Sequence, residues 1–188
     1  MKIDHVPPRI LLGLWPIIDA VLCRVHSIDA VTGDPDALLR VERRMHASSA
    51  TILADGASVQ KGEALLEIHL ATSWFRRRRV VNWRAGDITR DILVRLAADL
   101  RQLALRLCGG AYPDVVALHG VTFLDVGARR LGFEVRDLPP SRHHALIAFY
   151  MAGLMDMSRL TGSHTPSSKR RPLREIWMSR EHLVRTYG

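Results

Sequence analysis

Residues 63–70 read EALLEIHL. Apolar side chains stand at every second position, at Ala64, Leu66, Ile68 and Leu70. The polar side chains between them are Glu63, Glu67 and His69. A period of two is typical of a β-strand, whose successive side chains point to opposite faces of a sheet. The stretch therefore predicts a strand with one face on a core and a polar face opposite, where Leu65 is the exception.

A second strand with the same alternation is predicted at residues 38–46. Its core-facing side chains are Leu39, Val41 and Met45, and its polar ones are Arg40, Glu42, Arg44 and His46. A short strand at residues 50–53 precedes a tight turn at 54–57, and Lys61-Gly62 forms another turn. Charged faces opposite apolar faces predict an antiparallel sheet that is covered on one side.

The longest helix is predicted over about residues 88–107, with Asp87 as its N-cap and Gly109-Gly110 at its end. Its apolar stripe is Ile88, Ile92, Leu96, Leu100, Leu103 and Leu107. Residues 115–118 form a continuous apolar run instead. Such a run predicts a strand that is covered on both faces.

Further elements complete the prediction along the chain. They are an amphipathic helix at about 8–26, a short helix at 125–131, a strand at 132–135, a helix at about 142–160, a mobile loop at about 161–171, a strand at 175–178, and a final helix capped by Ser179. We find no internal repeat and no second composition regime. The sequence predicts one α+β domain over residues 1–188, a mixed and mostly antiparallel sheet with packed helices.

Composition predicts a basic domain with free cysteine thiols. The chain has 188 residues, of which 47% are hydrophobic, and 27 Lys and Arg against 19 Asp and Glu give a formal charge of +8. A positive field favours anionic partners such as phosphate, nucleic acid, acidic lipid or anionic sugar. Cys23 and Cys108 lie in apolar helical stretches, so we expect buried free thiols in a reducing compartment and no disulfide.

The apolar segment at residues 10–23 is too short to cross a bilayer, which needs about 20 apolar residues. It lacks a basic leading region and a small-residue cleavage site, so it does not resemble a signal peptide. We interpret it as a helix docked on the core, and a helix lying on a membrane surface is the alternative. The sequence thus predicts a soluble, cytoplasmic protein, with a location peripheral to the membrane as the alternative.

Four separated patches together resemble one family. They are Asp55-Gly56 with Lys61-Gly62-Glu63 and Glu67-Ile68-His69-Leu70, then residues 117–122, then residues 131–135, and finally Ile176-Trp177-Met178-Ser179-Arg180 with Leu183 and Tyr187-Gly188. In this order they resemble the YkoP-like domain over roughly residues 15–188. That domain is known alone and as the tail of proteins classed as polysaccharide deacetylases.

The resemblance implies a domain without an established reaction. It singles out His69, but Ala71 stands where many members have Asn, which puts a shared role for position 71 in doubt. The deacetylase half has no counterpart in these residues, so the resemblance does not imply deacetylase activity. It does imply a setting in envelope polysaccharide or lipid metabolism.

Glu67 and His69 form the first candidate site, because they share one face of a strand about 7 Å apart. A carboxylate beside an imidazole sets its tautomer or raises its pKa toward the range of a general base. The alternative is a solvated face where Glu63 and Glu67 pair with Arg40 and Arg44.

His119 is the second candidate, since it ends the predicted buried strand and is followed by Gly120 and Thr122. Ligands often bind beyond the carboxyl ends of central strands, where a glycine lets the backbone approach them. The alternative is a partly buried histidine that donates to a backbone carbonyl.

Ser179 and Arg180 follow the predicted final strand. A helix N-terminus with an arginine beside it is able to receive a phosphate or a carboxylate. The alternative is an ordinary N-cap with a surface arginine. A catalytic serine is not indicated, because the surrounding residues do not form Gly-x-Ser-x-Gly.

Arg76, Arg77, Arg78 and Arg79 follow Trp74-Phe75. Such a loop is able to bind nucleic acid or an anionic membrane, and a solvated loop is the alternative. No motif for sequence-specific nucleic-acid binding accompanies it. His143-His144 point in different directions on a helix, so no metal site is predicted, and no nucleotide cofactor motif is found.

The sequence leaves three functions open. The first is a YkoP-like accessory or binding domain that binds an anionic or polar ligand, glycan or lipid, in a cleft lined by His69, His119, Thr122 and Arg180. The second is a transferase or hydrolase with His69 or His119 as general base and Glu67 orienting it. The third is a membrane or nucleic-acid binder that uses residues 76–79. The oligomeric state is not indicated.

Overall fold

The main element of the fold is a six-stranded sheet, seen in a computed structural model that describes residues 28–31, 37–71, 74, 85–122, 124–138 and 172–188. The strands are β1 Asp29–Ala30, β2 Leu39–Met45, β3 Thr51–Ile52, β4 Ser58–Val59, β5 Ala64–Leu70, β6 Val115–Thr122, β7 Glu134–Asp137 and β8 Arg174–Ser179. The described helices are α1 Ala85–Cys108, α2 Asp125–Arg130 and α3 Arg180–Tyr187.

The strand order of the sheet is β1-β2-β5-β6-β8-β7, and β3 and β4 form a separate hairpin. All neighbours in the sheet are antiparallel except β5 and β6, which are parallel. Parallel neighbours need a long crossover, and α1 lies between these two strands in the chain. The predicted fold class, a mixed and mostly antiparallel sheet with packed helices, is confirmed.

The main core lies between one face of the sheet and helices α1 and α3. Leu66 and Leu118 from the central strands meet Leu100, Leu103 and Leu183 from the helices, and all five are almost fully buried. Burying a leucine side chain contributes about 1.5–3 kcal/mol. The apolar halves of the predicted patterns at 63–70 and 88–107 therefore build the same core.

A second, smaller core lies on the opposite face of the sheet. The β3–β4 hairpin packs Leu53 and Val59 onto Leu65, Ala117 and Trp177. The prediction of a sheet covered on one side is therefore wrong at this end, because the hairpin folds back over it. This cover also explains why Leu65 interrupts the polar side of its strand.

Several predicted boundaries and environments need correction. Helix α1 begins at Ala85, so Asp87 lies inside its first turn rather than at its N-cap. Strand β6 runs on to Thr122, so His119 lies within the strand and not at its end. Met45 is 54% exposed, because β2 extends beyond the part of the sheet that the core covers.

The environment of Cys108 also differs from the prediction. Cys108 is the last residue of α1, and its thiol is free and exposed rather than buried. Within the described ranges, no helix is long and apolar enough to cross a membrane.

Some predictions fall on residues outside the described ranges. They are the helices at about 8–26 and 142–160, the loop at about 161–171, the basic run Arg76–Arg79, Cys23, and His143-His144. These predictions stay as they are.

Candidate functional site

Five acidic and histidine side chains lie together on the part of the second sheet face that the small core does not occupy. We call this group the polar face, and its members are Glu42, Glu67, His69, His119 and Glu175. Glu42 and Glu67 are register partners on β2 and β5, and Glu67 and His119 are partners on β5 and β6. Neighbouring strands lie about 4.8 Å apart, which places these side chains side by side. Their side chains are between 10% and 32% exposed, so solvent reaches the group.

His69 lies at one end of the polar face. Its Nε2 is 3.4 Å from Glu42 Oε2. Burial lowers the pKa of His69 below its usual value, and the charges of Glu67 and Glu42 only partly oppose this effect. His69 is therefore a neutral imidazole at neutral pH, which is the form that accepts a proton.

The lowered pKa of His69 predicts a defined pH dependence of stability. Between its folded pKa and the ordinary value of 6.5, the unfolded chain binds more protons, so the free energy of unfolding falls as pH falls through this window. His69→Asn cannot be protonated and should lose less stability between pH 7 and the lower end of the window. Urea unfolding of both proteins at several pH values measures this difference. Equal losses would show that His69 has no burial penalty in the folded state.

Glu67 is bound to an arginine and not to a histidine. Its Oε2 accepts a hydrogen bond of 2.6 Å from Arg44 Nη1. Burial alone would raise the pKa of Glu67, but this hydrogen bond and the charges of His69, Arg44 and His119 lower it. The predicted pairing of Glu67 with Arg44 is confirmed, whereas Glu63 Oε2 accepts from the backbone N–H of Gln60 instead. The carboxylates that contact the two histidines are Glu42 and Glu175.

His119 contacts a carboxylate and an aromatic ring on the polar face. Its Nε2 lies 3.0 Å from Glu175 Oε1, and its ring centroid lies 4.4 Å from that of Trp177 at an interplanar angle of 47°. The partner is a carboxylate and not the backbone carbonyl of the alternative prediction. Burial alone would raise the pKa of Glu175, but the contact with His119 lowers it.

Gly120 allows β5 and β6 to approach closely and does not line a ligand loop. A Cβ on this residue would lie 2.7 Å from Ile68 Cγ1 and 3.3 Å from the Ile68 carbonyl oxygen. The glycine after His119 therefore has a packing explanation.

Thr122 lies an odd number of residues after His119 on the same strand, so its side chain points to the opposite face. Its hydroxyl accepts a hydrogen bond of 2.9 Å from the backbone N–H of Leu124. Thr122 thus stabilises the turn into α2.

Ser179 is buried and fully engaged. Its Oγ accepts a hydrogen bond of 3.0 Å from the backbone N–H of His182, which confirms the predicted N-cap of α3. The same hydroxyl donates to Asp55 in the turn of the β3–β4 hairpin. Ser179 therefore ties the hairpin to the final helix.

Arg180 holds backbone carbonyls. Its Nη1 donates to the carbonyls of Tyr112 and Val115 at 2.7 and 3.2 Å, and its Nη2 donates to that of Leu107 at 3.0 Å. The donors that the sequence assigned to an anion are therefore bound to the protein itself.

The structure brings together three of the predicted site residues and separates the others from them. Glu67, His69 and His119 meet on the polar face, whereas Ser179 and Thr122 lie at opposite ends of the β6–β8 ladder. The predicted single cleft of His69, His119, Thr122 and Arg180 is therefore wrong in its geometry. Arg76–Arg79 lie outside the described residues.

Sequence reasoning missed Glu175 and Trp177 as neighbours of His119. Glu175 and Trp177 are two residues apart, so the sequence places them on one face of the final strand. Nothing in the local sequence shows that this strand, β8, pairs with β6. Across the part of the chain that the structure describes, no group of three His, Cys, Asp or Glu side chains is placed to hold a metal ion.

Comparisons with known proteins agree with the resemblance in the sequence. The family model described as the YkoP domain matches residues 8–187. The chain is 22% identical over 127 residues to the Uncharacterized protein YkoP of Bacillus subtilis (strain 168), which covers 66% of this chain and 68% of that protein. No solved structure matches the chain. The chain belongs to the YkoP domain family.

Proposed function

We propose that this YkoP domain is a binding domain for a polar, hydroxyl-bearing ligand, and that the ligand binds on the polar face. The supporting observation is the convergence of Glu42, Glu67, His69, His119 and Glu175 from four strands onto one solvent-reached surface. Ionised carboxylates only accept hydrogen bonds, and a neutral imidazole has one donor and one acceptor. Hydroxyl groups both donate and accept, so a glycan matches this set of groups.

The charges around the polar face are mixed. Glu42 and Glu67 pair with Arg44, Arg40 is the register partner of His69, and Arg136 is the register partner of Glu175. The overall charge of +8 does not describe this local field, and the proposal favours a neutral polar ligand because hydroxyl groups match the acceptors and donors of the face.

The setting in envelope polysaccharide or lipid metabolism rests on the family resemblance, and a cytoplasmic or peripheral location remains a prediction. An enzyme is the second candidate, because His69 has a lowered pKa and His119 contacts a carboxylate. A neutral imidazole of this kind is able to act as a general base in a transferase or hydrolase. The basic run at residues 76–79 remains the basis of the third candidate, a membrane or nucleic-acid binder.

Binding is tested with two probes, chitotetraose as a neutral glycan and glucose 6-phosphate as an anionic sugar. Titration of the 15N-labelled chain should move amide signals of β5, β6 and β8 with chitotetraose, and affinity should fall at least tenfold in His69→Ala. Gln102→Ala, on the exposed side of α1, serves as the control and should bind like the unmodified chain.

Four results would decide against this proposal or revise it. Signals that move only on α1 would place the ligand elsewhere, and no binding of chitotetraose would reject a glycan of this class. Stronger binding of glucose 6-phosphate would restore the anionic ligand. Mass spectrometry of the incubated probes detects any product, which would establish the enzyme. Native mass spectrometry of the purified protein adds an independent check on the ligand class.

A further inference from the structure

The two histidines of the polar face are held in different ways. His69 Nε2 lies 3.4 Å from Glu42 Oε2, without a hydrogen bond of normal geometry. His119 Nε2 lies 3.0 Å from Glu175 Oε1, which is a hydrogen-bond distance. Only the second contact fixes which ring nitrogen carries the proton.

The contact with Glu175 selects one tautomer of His119. The pKa of Glu175 is lowered, so its carboxylate is ionised at neutral pH and only accepts hydrogen bonds. The hydrogen between the two side chains must therefore belong to His119 Nε2. In the neutral imidazole this leaves the lone pair on Nδ1, which has no hydrogen-bond partner among the described residues.

The orientation of the ring is fixed from a second side. Trp177, which is 3% exposed, packs against the ring of His119, and His46 packs edge-on against Trp177 at 5.7 Å between centroids. Glu67 on β5 is the register partner of His119 and is held by Arg44. A buried aromatic support of this kind keeps the imidazole from turning when a ligand arrives.

We infer that His119 Nδ1 is the hydrogen-bond acceptor for a ligand hydroxyl on the polar face, and that Glu175 is the positioning residue that sets this tautomer. The inference rests on the proposed function, because it assigns the acceptor within the same site. It also separates the histidines, since His69 has no comparable fixed partner. The arrangement selects ligands that present a hydroxyl donor to His119.

Imidazole 15N shifts of the full chain test the tautomer without any ligand. In its neutral form, His119 should show a protonated Nε2 and an unprotonated Nδ1. Glu175→Ala should produce a mixture of both tautomers, while Glu175→Gln keeps an accepting oxygen and should retain the first. Glu42→Gln is the matched control, because it changes the carboxylate beside His69 and should leave the His119 signals in place.

The ligand arm uses the same probe as the proposed function. Glu175→Ala should weaken chitotetraose binding about tenfold, and Glu175→Gln should restore most of it. A protonated Nδ1 in the neutral imidazole of the unmodified chain would overturn the inference, and so would an unchanged tautomer in Glu175→Ala. If chitotetraose does not bind at all, the proposed glycan fails, and the shifts still decide whether Glu175 positions His119.

Discussion

Replacing Arg180 with alanine is expected to lower the free energy of unfolding by about 3 kcal/mol, because three backbone carbonyls lose a charged donor. One of them, Leu107, lies in the last turn of α1, and another, Tyr112, lies in the connection from α1 to β6. Tyr112 has a positive φ of 50°, a conformation that is uncommon for a residue with a side chain. Arg180 thus holds an unusual turn between the longest helix and the central strand.

Urea unfolding followed by circular dichroism measures the loss. Arg180→Lys should recover only a part of it, because a single ammonium group cannot reproduce the fork of the guanidinium group. Arg185→Ala on the same helix is the matched control, since Arg185 is exposed and its guanidinium is seen, among the described residues, to contact the half-buried His182 side chain. It should change stability by no more than about 0.5 kcal/mol. Unchanged stability in Arg180→Ala, together with a loss of anion binding, would support the original anion-site hypothesis.

The fold was largely predictable because apolar periodicity reports directly on which face is buried. The alternation at residues 63–70 and the stripe at residues 88–107 both point to Leu66, Leu100 and Leu103, which lie in one core. Local patterns do not report where a strand ends relative to that core, and so Met45 was predicted to face the core although it is exposed. The hairpin that covers Leu65 was also missed, because its packing against Trp177 joins residues far apart in the chain.

The candidate site was only half predictable for a related reason. Glu67 and His69 are two residues apart on one strand, so the sequence alone places them on one face. The partners of His119 depend on the pairing of β6 with β8, which are separated by more than fifty residues. Arg180 was assigned to a ligand because a sequence shows donors but not the carbonyls that accept from them.

Replacing Asp99 with alanine is expected to destabilise the chain by about 3 kcal/mol or more. Asp99 lies on α1 and is 2% exposed, and its Oδ2 accepts hydrogen bonds of 2.8 and 2.9 Å from the backbone N–H groups of Leu38 and Leu39. These amides precede and begin β2, whose outer neighbour β1 is only two residues long. Without the carboxylate, two buried donors would have no acceptor, and each costs about 1–3 kcal/mol.

The variants of Asp99 separate the loss of the acceptor from the loss of the charge. Asp99→Asn keeps one oxygen in place and should cost about 1–2 kcal/mol, and hydrogen exchange of the Leu38 and Leu39 amides should accelerate far more in Asp99→Ala. Gln102→Ala on the same helix controls for the substitution itself. Slow exchange of both amides in Asp99→Ala would show that another group accepts from them. β2 also carries Glu42 and Arg44 of the candidate site. Local opening at the start of β2, seen as faster exchange, would therefore also loosen the polar face, so Asp99 links the helix to the candidate site.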